Sequence, residues 1–220
     1  MSTDDLCYMS ATEAIKEFRA HSLSPVELLD AIINRAEEIS ESINPFADRY
    51  FDEARVRAKN AENLYLKKNT NLKPLEGIPL VVKDICEISG KRTTRGSLIY
   101  SQNVSQQTSI HVQRLIDAGA NIFARTTIPE FAWLFTTQSR MWGVTHNPWK
   151  IGISPGGSSG GSAAAADAQQ RGYAPAPLGR HTGSVRRHFQ DGRRVVQAVG
   201  PHGSQPPETP GRRGGLCQCG

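Results

Sequence analysis

Long hydrophobic runs are absent from this chain of 220 residues. A membrane-spanning helix needs about 18 or more consecutive apolar residues, and no stretch of the chain approaches that length. The first ten residues, MSTDDLCYMS, are acidic and lack the apolar segment of a secretory signal. We therefore expect a cytoplasmic protein without a membrane partner.

Cysteine is also scarce, with four residues in the whole chain. Cys7 and Cys86 are isolated, whereas Cys217 and Cys219 form a CxC sequence with no histidine at the spacing of a zinc site. Cysteines of a cytosolic protein are normally reduced thiols. We expect no metal site, and no sequence pattern indicates a cofactor.

The excess of positive charge is confined to the end of the chain. Residues 1–166 contain 18 Lys and Arg against 18 Asp and Glu, whereas residues 167–220 contain eight Arg, no Lys and three acidic residues. Residues 167–220 also contain sixteen Gly and Pro but only seven Leu, Val and Phe, which is too little apolar surface for a core. They are predicted to be a disordered, low-complexity basic tail.

Two interpretations of residues 167–220 are open. A natural basic tail of this composition would bind nucleic acid or another polyanion. Translation of GC-rich DNA in the wrong reading frame also yields mostly Arg, Gly, Pro and Ala, with little Lys or Ile. We favour the frame error, because the composition changes directly after Ala166, and we therefore do not expect a nucleic-acid partner.

Helical patterns dominate the first 70 residues. Ser10 and Ser24 each precede a glutamate by three residues, which is the capping-box pattern at the start of a helix. Apolar residues follow at helical spacing. We predict an N-terminal helical arm over residues 1–70, with helices near 11–20, 25–40 and 52–66.

The pattern over residues 71–166 alternates between strands and helices. GIPLVVKD, residues 77–84, is a short apolar run bounded by turn residues, which predicts a buried strand. A helix over 110–118 and a strand over 121–125 follow. This succession predicts an α/β fold, in which the helical arm leads into part of a mixed β-sheet flanked by helices.

The stretch SPGGSSGGS, residues 154–162, holds four glycines and four serines in nine residues. It lacks the lysine of a Walker A loop and the spacing of a dinucleotide-binding GxGxxG. On these residues alone, a flexible linker, an anion site at a helix N-terminus and a catalytic loop that presents serine hydroxyls all stay open.

The glycine–serine stretch resembles the signature of the amidase signature family of serine hydrolases. Other segments between about residue 10 and residue 165 resemble further parts of that family, and they are residues 21–39, 75–84, 90–96, 119–133 and 145–149. The resemblance implies an incomplete amidase signature fold, with a partial core over 71–166, because the family's domain is much longer than this chain.

The resemblance also implies a Ser–Ser–Lys triad. Lys83 would be the general base, and burial at the end of an apolar strand would lower its pKa and favour the neutral amine. Ser158 would carry a proton between Lys83 and the nucleophile, on a cis peptide bond with the preceding glycine. Ser159 and Ser162 are expected to cap the following helix.

The nucleophile of the family lies in a segment of the form GxDxGGS[IV]RxP. The segment LGRHTGSVRRH, residues 178–188, matches only the Ser184-Val185-Arg186 part of it. The acid, one glycine and the proline are missing, and the spacing is two residues too long. Ser184 is therefore the candidate nucleophile, and the N–H groups before it would form the oxyanion hole.

The sequence thus predicts a cofactor-independent amidase that attacks a carboxamide and hydrolyses an acyl-enzyme. Its substrate would be a small-molecule amide, and a homodimer is left open. One alternative is the amide-hydrolysing subunit of a tRNA-dependent amidotransferase, which shares the motifs. Another is an inactive chain with a nucleic-acid-binding tail. We expect the chain as it stands to be a truncated, inactive fragment.

Overall fold

The computed structural model describes residues 3–67, 71–169, 184–190 and 193–199. The chain divides into two compact units, with the boundary between Pro177 and Leu178. Within the described ranges, no helix is long and apolar enough to cross a membrane.

Four helices form the N-terminal part of the first unit. They are α1 (Thr3–Tyr8), α2 (Ala11–Ala20), α3 (Pro25–Ile43) and α4 (Phe51–Leu66), and the last three confirm the predicted helices. At the start of α2, Ser10 and Glu13 form the predicted capping box. At the start of α3, the Ser24 hydroxyl accepts from the Val26 N–H and donates to Glu62 of α4, so it caps one helix and joins it to another.

A mixed three-stranded sheet follows the helices. Its strands are β1 (Phe46–Arg49), β2 (Pro79–Lys83) and β3 (Asn121–Thr126), in the spatial order β1-β3-β2. β2 runs parallel to β3, and β1 runs antiparallel to it. The central strand β3 is buried at all six residues. In β2, which was predicted to be buried, only Val82 is fully buried, because this strand pairs on one side only in the described sheet.

Helices cover this sheet and share its core. α5 (Ile110–Asp117) connects β2 to β3, and α6 (Gly160–Gln169) follows the glycine–serine stretch. A small hairpin of β4 (Gln138–Ser139) and β5 (Gly143–Val144) lies between them in the chain. The largest core cluster draws on α3, α4, β3 and the alanines of α6. The α/β fold is therefore confirmed, and the helical arm is part of the same core as the sheet.

Two further strands belong to the second unit. β6 (Ser184–Gln190) pairs antiparallel with β7 (Arg193–Val199), with Gln190 opposite Arg193. The sequence predicts a disordered tail here, whereas these two ranges are strands. Each of them contains Val, which favours strands, and Asp-Gly between them is a common hairpin dipeptide. The rest of the predicted tail beyond residue 169 lies outside the described residues.

Candidate active site

The carboxyl ends of β2 and β3 place Lys83 beside Thr126. The two strands are parallel, and these two residues face each other in the register. The crevice beyond the carboxyl ends of parallel strands is the usual place for a binding site in an open α/β sheet. The partly buried Lys83 thus ends its strand where polar groups from neighbouring elements can reach it.

The glycine–serine stretch lies against this end of the sheet. Lys83 Nζ is 2.8 Å from Ser158 Oγ and also 2.8 Å from Ser159 Oγ. The peptide bond between Gly157 and Ser158 is cis, as the resemblance implies. The fold thus brings together two predicted site residues that are 75 positions apart in the chain.

Close backbone packing holds the glycine–serine stretch in place. A Cβ atom at Gly157 would lie 2.7 Å from the carbonyl oxygen of Leu134, so only glycine allows this approach. Thr137 donates its hydroxyl to the Gly156 carbonyl at 2.8 Å, and its N–H donates to Ser154 Oγ at 3.2 Å. These contacts exclude the flexible-linker interpretation of the stretch.

The serines expected to cap α6 have different partners. Ser159 is at the start of the helix, where its carbonyl accepts from the Ala163 N–H at 3.0 Å, but its hydroxyl is hydrogen-bonded to Lys83. Ser162 Oγ is 2.6 Å from Thr126 Oγ1 at the end of β3. The capping prediction is wrong for Ser162, which lies inside the first turn of α6 and bonds at the end of β3. Ser159 occupies the N-cap position, and its hydroxyl also bonds to Lys83.

Burial lowers the pKa of Lys83 below its usual value, and the nearby Cys86 thiol opposes this shift. Removing an ammonium group from water disfavours its charged form. A larger fraction of Lys83 is therefore neutral near pH 7 than of a lysine on the surface. The neutral amine can accept the proton of either serine hydroxyl.

A fully buried ion pair supports the end of β2 behind Lys83. Asp84 and Arg125 are 0% exposed, and Arg125 Nε is 3.2 Å from Asp84 Oδ1. Asp84 also accepts from the N–H and the hydroxyl of Thr94 and from Trp142 Nε1, the last at 3.1 Å. This network was not predicted from the sequence, although an arginine inside the apolar strand NIFART is a signal that a buried partner lies near that strand.

Ser184, the candidate nucleophile, is in the second unit. It is the first residue of β6, and its backbone pairs with Val199. The residues just before it, which would form the oxyanion hole, lie outside the described residues. The assignment of Ser184 stays a prediction from its motif.

One further pair of reactive side chains lies near Lys83. Cys86 Sγ is 3.3 Å from His111 Nε2, at the start of α5. Burial raises the pKa of the Cys86 thiol. In the part of the chain that the structure describes, no group of three or more His, Cys, Asp or Glu side chains could hold a metal ion.

A model of the Amidase family matches residues 27–187. This chain belongs to the amidase family. The match takes in Lys83, Ser158 and Ser184, and it extends beyond Ala166, where the composition changes. The family resemblance predicted from the sequence is confirmed.

Curated relatives include two kinds of amidase-family protein. An acylamidase of Rhodococcus erythropolis is 36% identical over 166 residues, which are 75% of this chain and 34% of that protein. A glutamyl-tRNA(Gln) amidotransferase subunit of Deinococcus deserti is 40% identical over 183 residues, which are 80% of this chain and 35% of that protein. The chain thus spans about a third of the length of these relatives.

Solved structures show the same fold over the first unit. Fatty acid amide hydrolase superposes with a TM-score of 0.73 at 27% identity, covering 76% of this chain and 30% of that protein. A bacterial aryl acylamidase of the amidase signature family superposes with a TM-score of 0.67 at 25% identity, covering 71% of this chain and 33% of that protein.

Proposed function

We propose that this amidase-family chain carries the base-bearing part of an amide-hydrolysing site, with Lys83 as general base and Ser158 as proton carrier. The observation that carries the proposal is the 2.8 Å distance between Lys83 Nζ and Ser158 Oγ. The lowered pKa of Lys83 supports it, because a base must be neutral before it accepts a proton.

Proton transfer would run through the serine. The hydroxyl of the nucleophile would pass its proton to Ser158 Oγ as the Ser158 proton moves to Lys83 Nζ, and Ser184 stays the candidate nucleophile from its motif alone. The serine oxygen then bonds to the amide carbon, and the proton returns to the leaving nitrogen as the C–N bond breaks. Water cleaves the resulting ester by the same relay, which releases a carboxylic acid and restores the serine.

Ser159 is the competing candidate for the proton carrier, since its hydroxyl is equally close to Lys83. Ser159→Ala and Ser158→Ala therefore form a matched pair of variants. In a form of the chain whose nucleophile segment is restored, we expect the Ser158 variant to lose hydrolysis and the Ser159 variant to retain most of it. The reverse result would exchange the two roles.

The substrate we propose is an amide with an apolar group. Trp133 and Phe135 are 85% and 90% exposed, and the backbone between them touches Gly157 of the glycine–serine stretch. Exposed aromatic side chains on a segment that packs against the glycine–serine stretch favour a ligand with apolar surface. Two of the similar structures have names that specify a fatty acid amide and an aryl acyl amide, which agrees with this choice.

The proposal is tested by hydrolysis of an aryl amide. We expect no turnover by the chain as it stands, because the segment before Ser184 lacks the glycine pair of the family motif. In a form whose nucleophile segment is restored, we expect turnover. Lys83→Ala should lower its rate by about 10²–10⁴-fold. Turnover at the unsubstituted rate in that variant would exclude Lys83 as the base.

A second candidate function is that of the amide-hydrolysing component of a tRNA-dependent amidotransferase. It is favoured by the 40% identity to the Deinococcus deserti protein. Such a component hydrolyses an amide and delivers ammonia to a partner. Preference of the restored form for glutamine over apolar aryl amides would favour this candidate.

A nucleic-acid-binding chain without amidase activity is the remaining alternative. It predicts salt-dependent binding that disappears when residues 167–220 are deleted.

A further inference from the structure

A cavity lies between α4, α5 and β3. It has a volume of about 120 Å³, and neither Lys83 nor a serine of the glycine–serine stretch lines it. We call it the α4–α5 cavity, and its lining residues are Tyr50, Arg57, Ile88, Lys91, Ile116, Ala120 and Ile122.

Hydrocarbon surface dominates the wall of the α4–α5 cavity. Three isoleucines and one alanine contribute only carbon atoms to it, and Ile88 and Ile122 are more than nine-tenths buried. Tyr50 adds an aromatic ring. An apolar wall of this kind gives water few hydrogen-bonding partners, so apolar contents are favoured over water.

The two cations in the wall are already paired elsewhere. Lys91 Nζ bonds to Glu53 and lies 4.7 Å from the centre of the Tyr50 ring. Arg57 donates from Nε to Asn121 Oδ1 at 2.9 Å and from Nη2 to the Ile122 carbonyl, and it also pairs with Glu53. With their charged ends engaged, these side chains offer the cavity mainly their methylene stems. The wall therefore favours neither an anion nor a cation.

We propose that the α4–α5 cavity binds a small, uncharged apolar molecule about the size of benzene. Its volume is slightly below that of an apolar cavity of about 150 Å³, which stays dry and binds benzene or xenon. The three isoleucines supply dispersion contacts to such a ring, and the Tyr50 ring supplies an aromatic face.

The cavity is connected to the candidate active site by packing. Ile88 and Ile122 share a buried cluster with Val82, the residue directly before Lys83, and Ile116 packs against that cluster. A molecule that binds only the folded chain stabilises it by mass action. An apolar molecule bound in the α4–α5 cavity should therefore stabilise the strand that carries Lys83. This binding does not depend on whether the chain hydrolyses amides.

Benzene is the probe for the first test. The full chain is labelled at its isoleucine methyl groups and titrated by NMR. We expect saturable shifts at Ile88, Ile116 and Ile122, with small shifts at Ile39 of α3. Benzoate and anilinium should bind more weakly than benzene, because the cations of the wall are already paired and its apolar surface offers a buried charge no partner.

Three results of this titration would overturn the proposal. The first is the absence of saturable shifts up to the solubility limit of benzene. The second is a response confined to exposed isoleucines that do not line the cavity, such as Ile99 and Ile110. The third is tighter binding of benzoate than of benzene, which would show that the cations at the wall select an anion.

Substitutions provide the second test. Ala120→Leu fills the cavity and should abolish benzene binding, whereas the same change at the exposed Ala11 of α2 should leave binding intact. Because extra volume can also unfold a chain, Ile116→Ala is the complementary variant. It enlarges the cavity and should allow naphthalene to bind, which the unsubstituted chain should reject. Benzene binding by a folded Ala120→Leu chain, or rejection of naphthalene by a folded Ile116→Ala chain, contradicts the proposal.

Discussion

Replacing Arg125 by methionine should strongly destabilise the first unit. Arg125 and Asp84 are both 0% exposed, so the substitution leaves a carboxylate buried without its counter-ion. Removing one partner of a buried ion pair costs about 3–5 kcal/mol, which is a large part of the roughly 5–15 kcal/mol that stabilises a typical domain. The donors from Thr94 and Trp142 remain, which places the expected loss at the lower end, about 3 kcal/mol.

The assay is urea unfolding followed by far-UV circular dichroism. The matched control is Arg55→Met, since Arg55 pairs with Asp30 at 2.9 Å but both side chains are more than 40% exposed. An exposed pair contributes about 0–1 kcal/mol. Adding Asp84→Asn to Arg125→Met should cost less than the sum of the single changes, because each single change leaves the other partner unpaired. If Arg125→Met destabilises the chain no more than Arg55→Met, the buried pair does not support β2 as we argue.

Three further predictions concern protons and the reading frame. Burial lowers the pKa of Lys83 in the folded chain, so the buried ammonium destabilises the fold at neutral pH, and this penalty disappears as pH rises towards 10.5. Lys83→Met should therefore raise the free energy of unfolding in urea at neutral pH, by an amount that shrinks as pH rises over that interval. Burial raises the pKa of Tyr50 to about 12, so its contribution to stability is present below pH 10 and lost as pH rises through about 12. Tyr50→Phe should remove a phenol that ionises near pH 12 in an absorbance titration. Shifting the nucleotide frame near codon 166 should restore GxDxGGS[IV]R, and early stop codons with no such motif would contradict the frame error.

Local sequence signals predicted the described helices other than α1, and the two parallel strands. Ser10 with Glu13, and Ser24 with Pro25, mark helix starts through contacts within one turn. These signals are readable because both partners lie a few residues apart. The strand β1 was missed, since four residues with a burial pattern that does not alternate give no period to detect. Its position depends on β3, about 75 residues later in the chain.

The partners of the candidate site residues were only partly predictable. The motifs indicated Lys83 and Ser158, but not that the Ser159 hydroxyl would be equally close to the amine. That both adjacent serines reach Lys83 depends on how the glycine–serine stretch packs against Leu134 and Phe135. Neither the spacing nor the composition of the stretch contains that information.

The sequence by itself determined the family, most of the helices, the two parallel strands and the residue types available for chemistry, because each follows from patterns within short segments. The tertiary structure decided which of those residues meet. Lys83 bonds to serines 75 and 76 positions away, and Asp84 pairs with Arg125 of the neighbouring strand, 41 positions away. The same long-range packing buries Lys83 and lowers its pKa. Such effects arise from removal of charge from water and from close packing of distant segments, which no local pattern encodes.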